Sequence, residues 1–123
     1  MTASLPRERL LEIRTYRVRR GQQARLGDRM TAASPLLHRY EIDVVWMGPS
    51  VADDQHYILL RSFESLERRE ALEDAFYGSD EWRSGPREAI VSRIENSISV
   101  VIPSGDLHTA ERSTVGSSRE EER

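Results

Sequence analysis

The period of the apolar pattern switches between two and about 3.6 residues along this chain, in an order that few folds can satisfy. Leu10 to Val18 (LLEIRTYRV) alternates, with Leu11, Ile13 and Thr15 to one side and Glu12, Arg14 and Tyr16 to the other, which predicts a strand with two unlike faces. Gly21 ends it. From Gln22 to Tyr40, the residues Ala24, Leu26, Met30, Ala33, Leu37 and Tyr40 recur at helical spacing. Pro35 predicts a kink or a break between Ala33 and Leu36, because proline removes a backbone hydrogen bond and clashes with the preceding turn. Ile42 to Met47 (IDVVWM) and His56 to Phe63 (HYILLRSF) are β-rich runs separated by a short polar loop, and such neighbours pair antiparallel. Ser65 offers an N-cap to a helix over Leu66 to Phe76, which Gly78 interrupts. Ser79 caps a helical turn at Asp80-Glu81-Trp82, Pro86 opens a third helix through about Ile94, and Asn96 to Ile102 (NSISVVI) forms the last strand.

Strand, helix, strand, strand, helix, strand is the order of an α+β, ferredoxin-like βαββαβ domain with a split second helical region and helices on one face of a four-stranded antiparallel sheet. If Glu12, Arg14 and Tyr16 share the other face with side chains of the third strand, that face is part polar and part aromatic. That face would be too apolar to stand open and too polar for a plain core, so a second subunit is expected to cover it. Residues 1–9 read as an N-terminal extension, 10–103 as the domain and 104–123 as a tail. The tail is made of Ser, Thr, Gly, Arg and Glu, with Leu107 and Val115 as its large aliphatic side chains, and is expected to be disordered.

Composition removes whole classes of function. There is no Cys, hence no disulfide, thiolate nucleophile or Cys-based zinc or iron–sulfur site. The 18 basic residues are all Arg, against 21 acidic ones, for a net charge of −3. The charges interleave without a continuous basic face, so neither nucleic acid nor membrane is expected as a partner. Arg7, Glu8 and Arg9 stand where a secretory leader would need apolar residues, which predicts a cytoplasmic protein. The lack of Lys fits the base composition of a GC-rich bacterial genome. The chain carries no phosphate-loop motif, serine nucleophile elbow or dinucleotide fingerprint.

Four short motifs fall in register with a known family. Glu12-Ile13-Arg14-Thr15-Tyr16, Pro35-Leu36-Leu37, Arg61-Ser62-Phe63-Glu64-Ser65-Leu66 and Asp80-Glu81-Trp82 together resemble the NIPSNAP family, of the dimeric α+β barrel superfamily. The resemblance spans about Leu10 to Pro103. It implies a homodimer in which two four-stranded sheets close an eight-stranded barrel. The superfamily includes cofactor-free monooxygenases, haem-degrading enzymes, isomerases, polyketide cyclases and ligand-binding modules, and so names no reaction.

The residues themselves point to a type of pocket. Arg14 and Tyr16 on the first strand, Trp46 on the second, and Tyr57 and Arg61 on the third combine guanidinium forks with aromatic area, which suits a planar anion such as an enolate or phenolate. The plainer alternative pairs Arg14 with Glu12 and makes Tyr16, Trp46 and Tyr57 core or interface residues. His38, His56 and Asp43 are the candidate bases, and Trp82 with Arg83 is a candidate pocket lip. His108 lies in the tail. No two histidines stand at ligand spacing, so no metal is expected. Haem would need His38 or His56 as its axial ligand.

Two functions follow. One is a metal-free, cofactor-independent enzyme, a cyclase, isomerase or monooxygenase of biosynthesis acting on a polar aromatic or polyketide-like small molecule through acid/base chemistry and enolate stabilisation. The other is a non-catalytic dimeric module that binds a small ligand or a protein.

Overall fold

A computed structural model describes residues 9–105. The expected N-terminal extension, most of the expected tail and His108 lie outside the described residues. The elements are β1 (Leu10–Val18), α1 (Gln23–Arg39), β2 (Asp43–Pro49), β3 (His56–Phe63), α2 (Leu66–Tyr77), α3 (Asp80–Ser84), α4 (Arg87–Val91) and β4 (Ile94–Pro103). The four strands form one antiparallel sheet in the order β2-β3-β1-β4, the α+β ferredoxin-like arrangement expected from the element order. Among the described residues no helix is long and apolar enough to cross a membrane.

Local chemistry sets the element ends. Gly21 adopts a φ of 76°, the left-handed conformation that lets the chain turn from β1 into α1. The Ser65 hydroxyl accepts from the Arg68 N–H at the start of α2, and the Ser79 hydroxyl accepts from the Trp82 N–H at the start of α3. The hairpin strand β2 runs on through Gly48 and Pro49, two residues past the expected end at Met47. At the other end, α4 closes at Val91 and β4 begins at Ile94, so the last helix is shorter and the last strand longer than expected.

α1 continues through Pro35 without a break. Its buried stripe, Leu26, Met30, Ala33, Leu36 and Leu37, lies on both sides of the proline and packs into one core. Burial of that stripe outweighs the lost hydrogen bond, which is why the expected break is absent.

The helices cover the face of β1 that carries Glu12, Arg14 and Tyr16, not the one that carries Ile13 and Thr15. Glu12, Arg14 and Tyr16 pair across β3 with Arg61, Leu59 and Tyr57, and this face turns toward the helices of the same chain. The open face holds Ile13, Thr15, Ile58, Leu60, Ile98 and Val100, with Trp46 laid over Gly48. Alternation shows that a strand has two faces. Which one meets the helices is decided by where the helices return, and here Leu59, Phe63 and Val18 share the polar face and carry it into the core.

Candidate active site between helices and sheet

Behind the sheet's helix-covered face lies a network of buried charge. Glu12 and Arg61 are both 0% exposed. Arg61 Nε donates to Glu12 Oε1 at 2.6 Å, Arg61 Nη2 to Glu73 Oε2 at 2.9 Å, and Arg61 Nη1 to the Tyr77 hydroxyl at 2.9 Å. Arg69 Nη2 and Nε reach Glu12 Oε2 at 2.8 and 3.0 Å. Arg14 Nη2 stands 3.4 Å from the same oxygen and 3.9 Å from Glu73 Oε1, while its Nε donates to Ser99 Oγ at 2.9 Å. Three guanidiniums thus surround two carboxylates. A buried charge is tolerated only when paired and hydrogen-bonded, and each of these is.

Burial by itself pushes the Glu12 carboxyl up, but its hydrogen bond to Arg61 and the charges of Arg61 and Arg14 outweigh burial and hold it down at about 2. Glu73 goes the other way: burial raises it, and sharing the site with Glu12 raises it further against the pull of Arg61 and Arg69. A pair of carboxyls this close titrates as a unit.

In front of the network is a cavity of about 310 Å³ between β1, β4 and the helices. Its walls are Phe76, Trp82, Leu37, Met30 and Ile90, and its polar groups are Arg14, Tyr16, Tyr77, Glu95, Asn96 and Ser97. Tyr77 packs edge-on against Phe76 and Trp82, with ring centroids 4.8 and 5.3 Å apart. Arg14 places its guanidinium carbon 6.0 Å from the Tyr77 ring centre. The Tyr16 hydroxyl is pushed up to about 12, first by burial and then by Tyr77, with Arg14 opposing. It therefore keeps its proton throughout the ordinary pH range. An apolar pocket with a few convergent polar groups is the usual form of a small-molecule site.

The structure brings together Arg14, Tyr16 and Trp82 of the residues singled out in the sequence. Trp82 is a buried wall of the cavity rather than its lip, and Arg83 is exposed outside it. Arg61 sits behind the lining in the charge network, and Tyr57 is buried against Gly27 in the core beside β3. Trp46 is 50% exposed on the open sheet face. Asp43 is exposed at the start of β2, His38 is exposed in the last turn of α1, and His56 lies on β3 with its Nδ1 3.0 Å from Asp53 Oδ1. Neither histidine reaches the cavity, so neither is placed to ligate haem there. Among the described residues no three His, Cys, Asp or Glu side chains cluster to hold a metal ion.

Tyr77, Glu73 and Arg69 were not singled out as site residues. They stand four apart on α2, one helical face that meets the sheet. The legible signal was Arg69 itself, a charged residue inside the otherwise apolar stripe of Leu66, Leu72 and Phe76.

The fold is the ferredoxin-like α+β fold of solved NIPSNAP and antibiotic biosynthesis monooxygenase-like proteins. A NIPSNAP family protein of unknown function from Agrobacterium tumefaciens matches with a TM-score of 0.73 at 18% identity, covering 80% of this chain and 90% of that one. An uncharacterized NIPSNAP-like domain protein from Burkholderia xenovorans matches with a TM-score of 0.70 at 14% identity, covering 93% and 92%. A Bordetella bronchiseptica protein named as a candidate antibiotic biosynthesis monooxygenase matches with a TM-score of 0.64 at 18% identity, covering 77% and 95%. No protein-family model and no curated protein sequence matches the chain. These neighbours agree with the NIPSNAP resemblance of the four sequence motifs.

Proposed function

We propose that this chain acts without a metal or cofactor on a planar aromatic or polyketide-like small molecule, stabilising an enolate or phenolate in the cavity between helices and sheet. The observation that carries the reading is Arg14. Its guanidinium is held by Ser99, Glu12 and Glu73 at the wall of a cavity otherwise lined by aromatic and aliphatic side chains. A preorganised cation in a largely apolar pocket stabilises charge as it develops on a substrate oxygen, at no reorganisation cost. Cyclisation, isomerisation and cofactor-independent oxygenation all pass through such an anion, and several structural neighbours are named as candidate antibiotic biosynthesis monooxygenases.

One observation favours a second reading. The lining has no imidazole, and its carboxylate, Glu95, is held by Arg17 at 3.2 Å. A cavity without a ready base suits a module that binds such an anion without turning it over. The experiment is a panel of enolisable 1,3-diketones and hydroquinones, followed by calorimetry for binding and by oxygen uptake and product analysis for turnover, in wild type and Arg14→Gln. Turnover lost in the variant supports the enzyme; Arg14-dependent binding with no turnover supports the module; neither binding nor turnover refutes both.

We also propose that a second copy of the chain covers the open sheet face. Ile98 is 67% exposed there on β4 and Trp46 50% on β2 at the opposite edge, with Ile13, Ile58 and Leu60 on the two strands between them, apolar side chains that a lone domain would leave in water.

A further inference from the structure

We infer that Tyr77 is the cavity's hydrogen-bond donor to the ligand, fixed in that sense by Arg61, and that the site takes a planar oxyanion whose charge is spread over neighbouring oxygens, such as a 1,3-diketonate or an o-acyl phenolate. This rests on the proposed function and specifies its ligand. A guanidinium can only donate. Arg61 Nη1 donates to the Tyr77 hydroxyl, so the phenol oxygen is the acceptor in that bond and its own proton points elsewhere. Arg61 has no freedom to do otherwise, because Nε and Nη2 are bound to Glu12 and Glu73 and the side chain is fully buried. Tyr77 is one of the lining residues of the cavity, and among the described residues its hydroxyl has Arg61 as its hydrogen-bond partner and donates to none. A phenol that accepts from a cation is polarised toward donating, and charge-assisted bonds of this kind are the strong ones.

The rest of the deep wall has the same sense. Arg14 donates, and Tyr16, buried beside it, keeps its proton. Glu12 and Glu73, the nearby acceptors, are used up behind the wall by Arg61 and Arg69 and do not line the cavity. The acceptors of the lining, Glu95, Asn96 and Ser97, lie together at the start of β4, so the Arg14 and Tyr77 side of the cavity is where a ligand presents its acceptor oxygens. Aromatic walls on either side select one that is flat.

The test uses 2-acetylcyclohexane-1,3-dione, a planar triketone that is an anion at neutral pH, and its neutral enol methyl ether, titrated by calorimetry into the full chain. Wild type is expected to prefer the anion. Tyr77→Phe keeps the ring and removes the proton, and is expected to lower anion affinity about tenfold while changing ether affinity less than about twofold. Arg61→Lys, the positioning variant, is expected to lower the same anion-to-ether ratio, with no further fall in the double variant. Equal losses for both ligands in Tyr77→Phe would make Tyr77 a wall and overturn the inference. Anion binding that Arg14→Gln abolishes and Tyr77→Phe leaves untouched would overturn it while the site reading survives. No binding of the anion by wild type would overturn both.

Discussion

Glu12→Gln is the sharpest test of how this molecule holds charge in its interior. The substitution keeps the shape of the side chain and removes one of two carboxylates from among Arg14, Arg61 and Arg69. Holding the Glu12 carboxyl at about 2 rather than 4.5 corresponds, at about 1.4 kcal/mol per pH unit, to a stabilisation of roughly 3 kcal/mol at neutral pH. Removing one partner of a buried ion pair elsewhere costs about 3–5 kcal/mol, so the two routes agree. For a domain of this size, about 3 kcal/mol lowers the melting temperature by roughly 15 °C. The sign with pH follows from the direction of the shift. Because the folded-state value is depressed, the Glu12 contribution is complete above about 4.5 and is lost as pH falls toward 2. Glu73 is raised, so its contribution is present at low pH and is lost as pH rises through its folded value, which offsets part of the acid loss. Thermal melts by far-ultraviolet circular dichroism, at one protein concentration and at pH 7 and pH 3, should show a large gap between wild type and variant at pH 7 that narrows at pH 3. A drop below about 4 °C at pH 7, or a gap that does not narrow, would refute the argument that Glu12 is the charge on which the network depends.

Pro35→Ala should stabilise the domain by about 1–3 kcal/mol, read by urea unfolding, since α1 already runs through this position and regains a hydrogen bond. Gly48→Ala should weaken self-association in size-exclusion chromatography, because the added Cβ would lie 2.7 Å from the Trp46 ring and push it off the open face; an unchanged elution volume would count against that face as the dimer surface. Tyr16 should ionise late, with an absorbance step near pH 12 that disappears in Tyr16→Phe. His38→Ala should leave ligand affinity within about twofold by calorimetry, because the side chain is exposed at the end of α1 and outside the cavity.

What the sequence determined by itself was local and periodic. Leu10–Val18 and His56–Phe63 appear as read because strands are written in alternation, and Ser65 and Ser79 cap the helices they were expected to cap because a cap needs only a hydroxyl and the N–H three residues on. Arg14 and Tyr16 were legible as a pair with chemistry in them, since they share one face of one strand. The tertiary structure decided everything that depends on which face meets which element. It turned Glu12, Arg14 and Tyr16 toward the helices, left the apolar face open, and carried α1 through Pro35 because packing on both sides outweighed one backbone bond. It set Arg61 behind the cavity, and His38, His56 and Asp43 outside it. It also brought Arg69, Glu73 and Tyr77 against β1 and β3. Their spacing of four was visible in the chain, but their partners lay 12 to 57 residues away in sequence and became theirs only when α2 folded back onto the sheet.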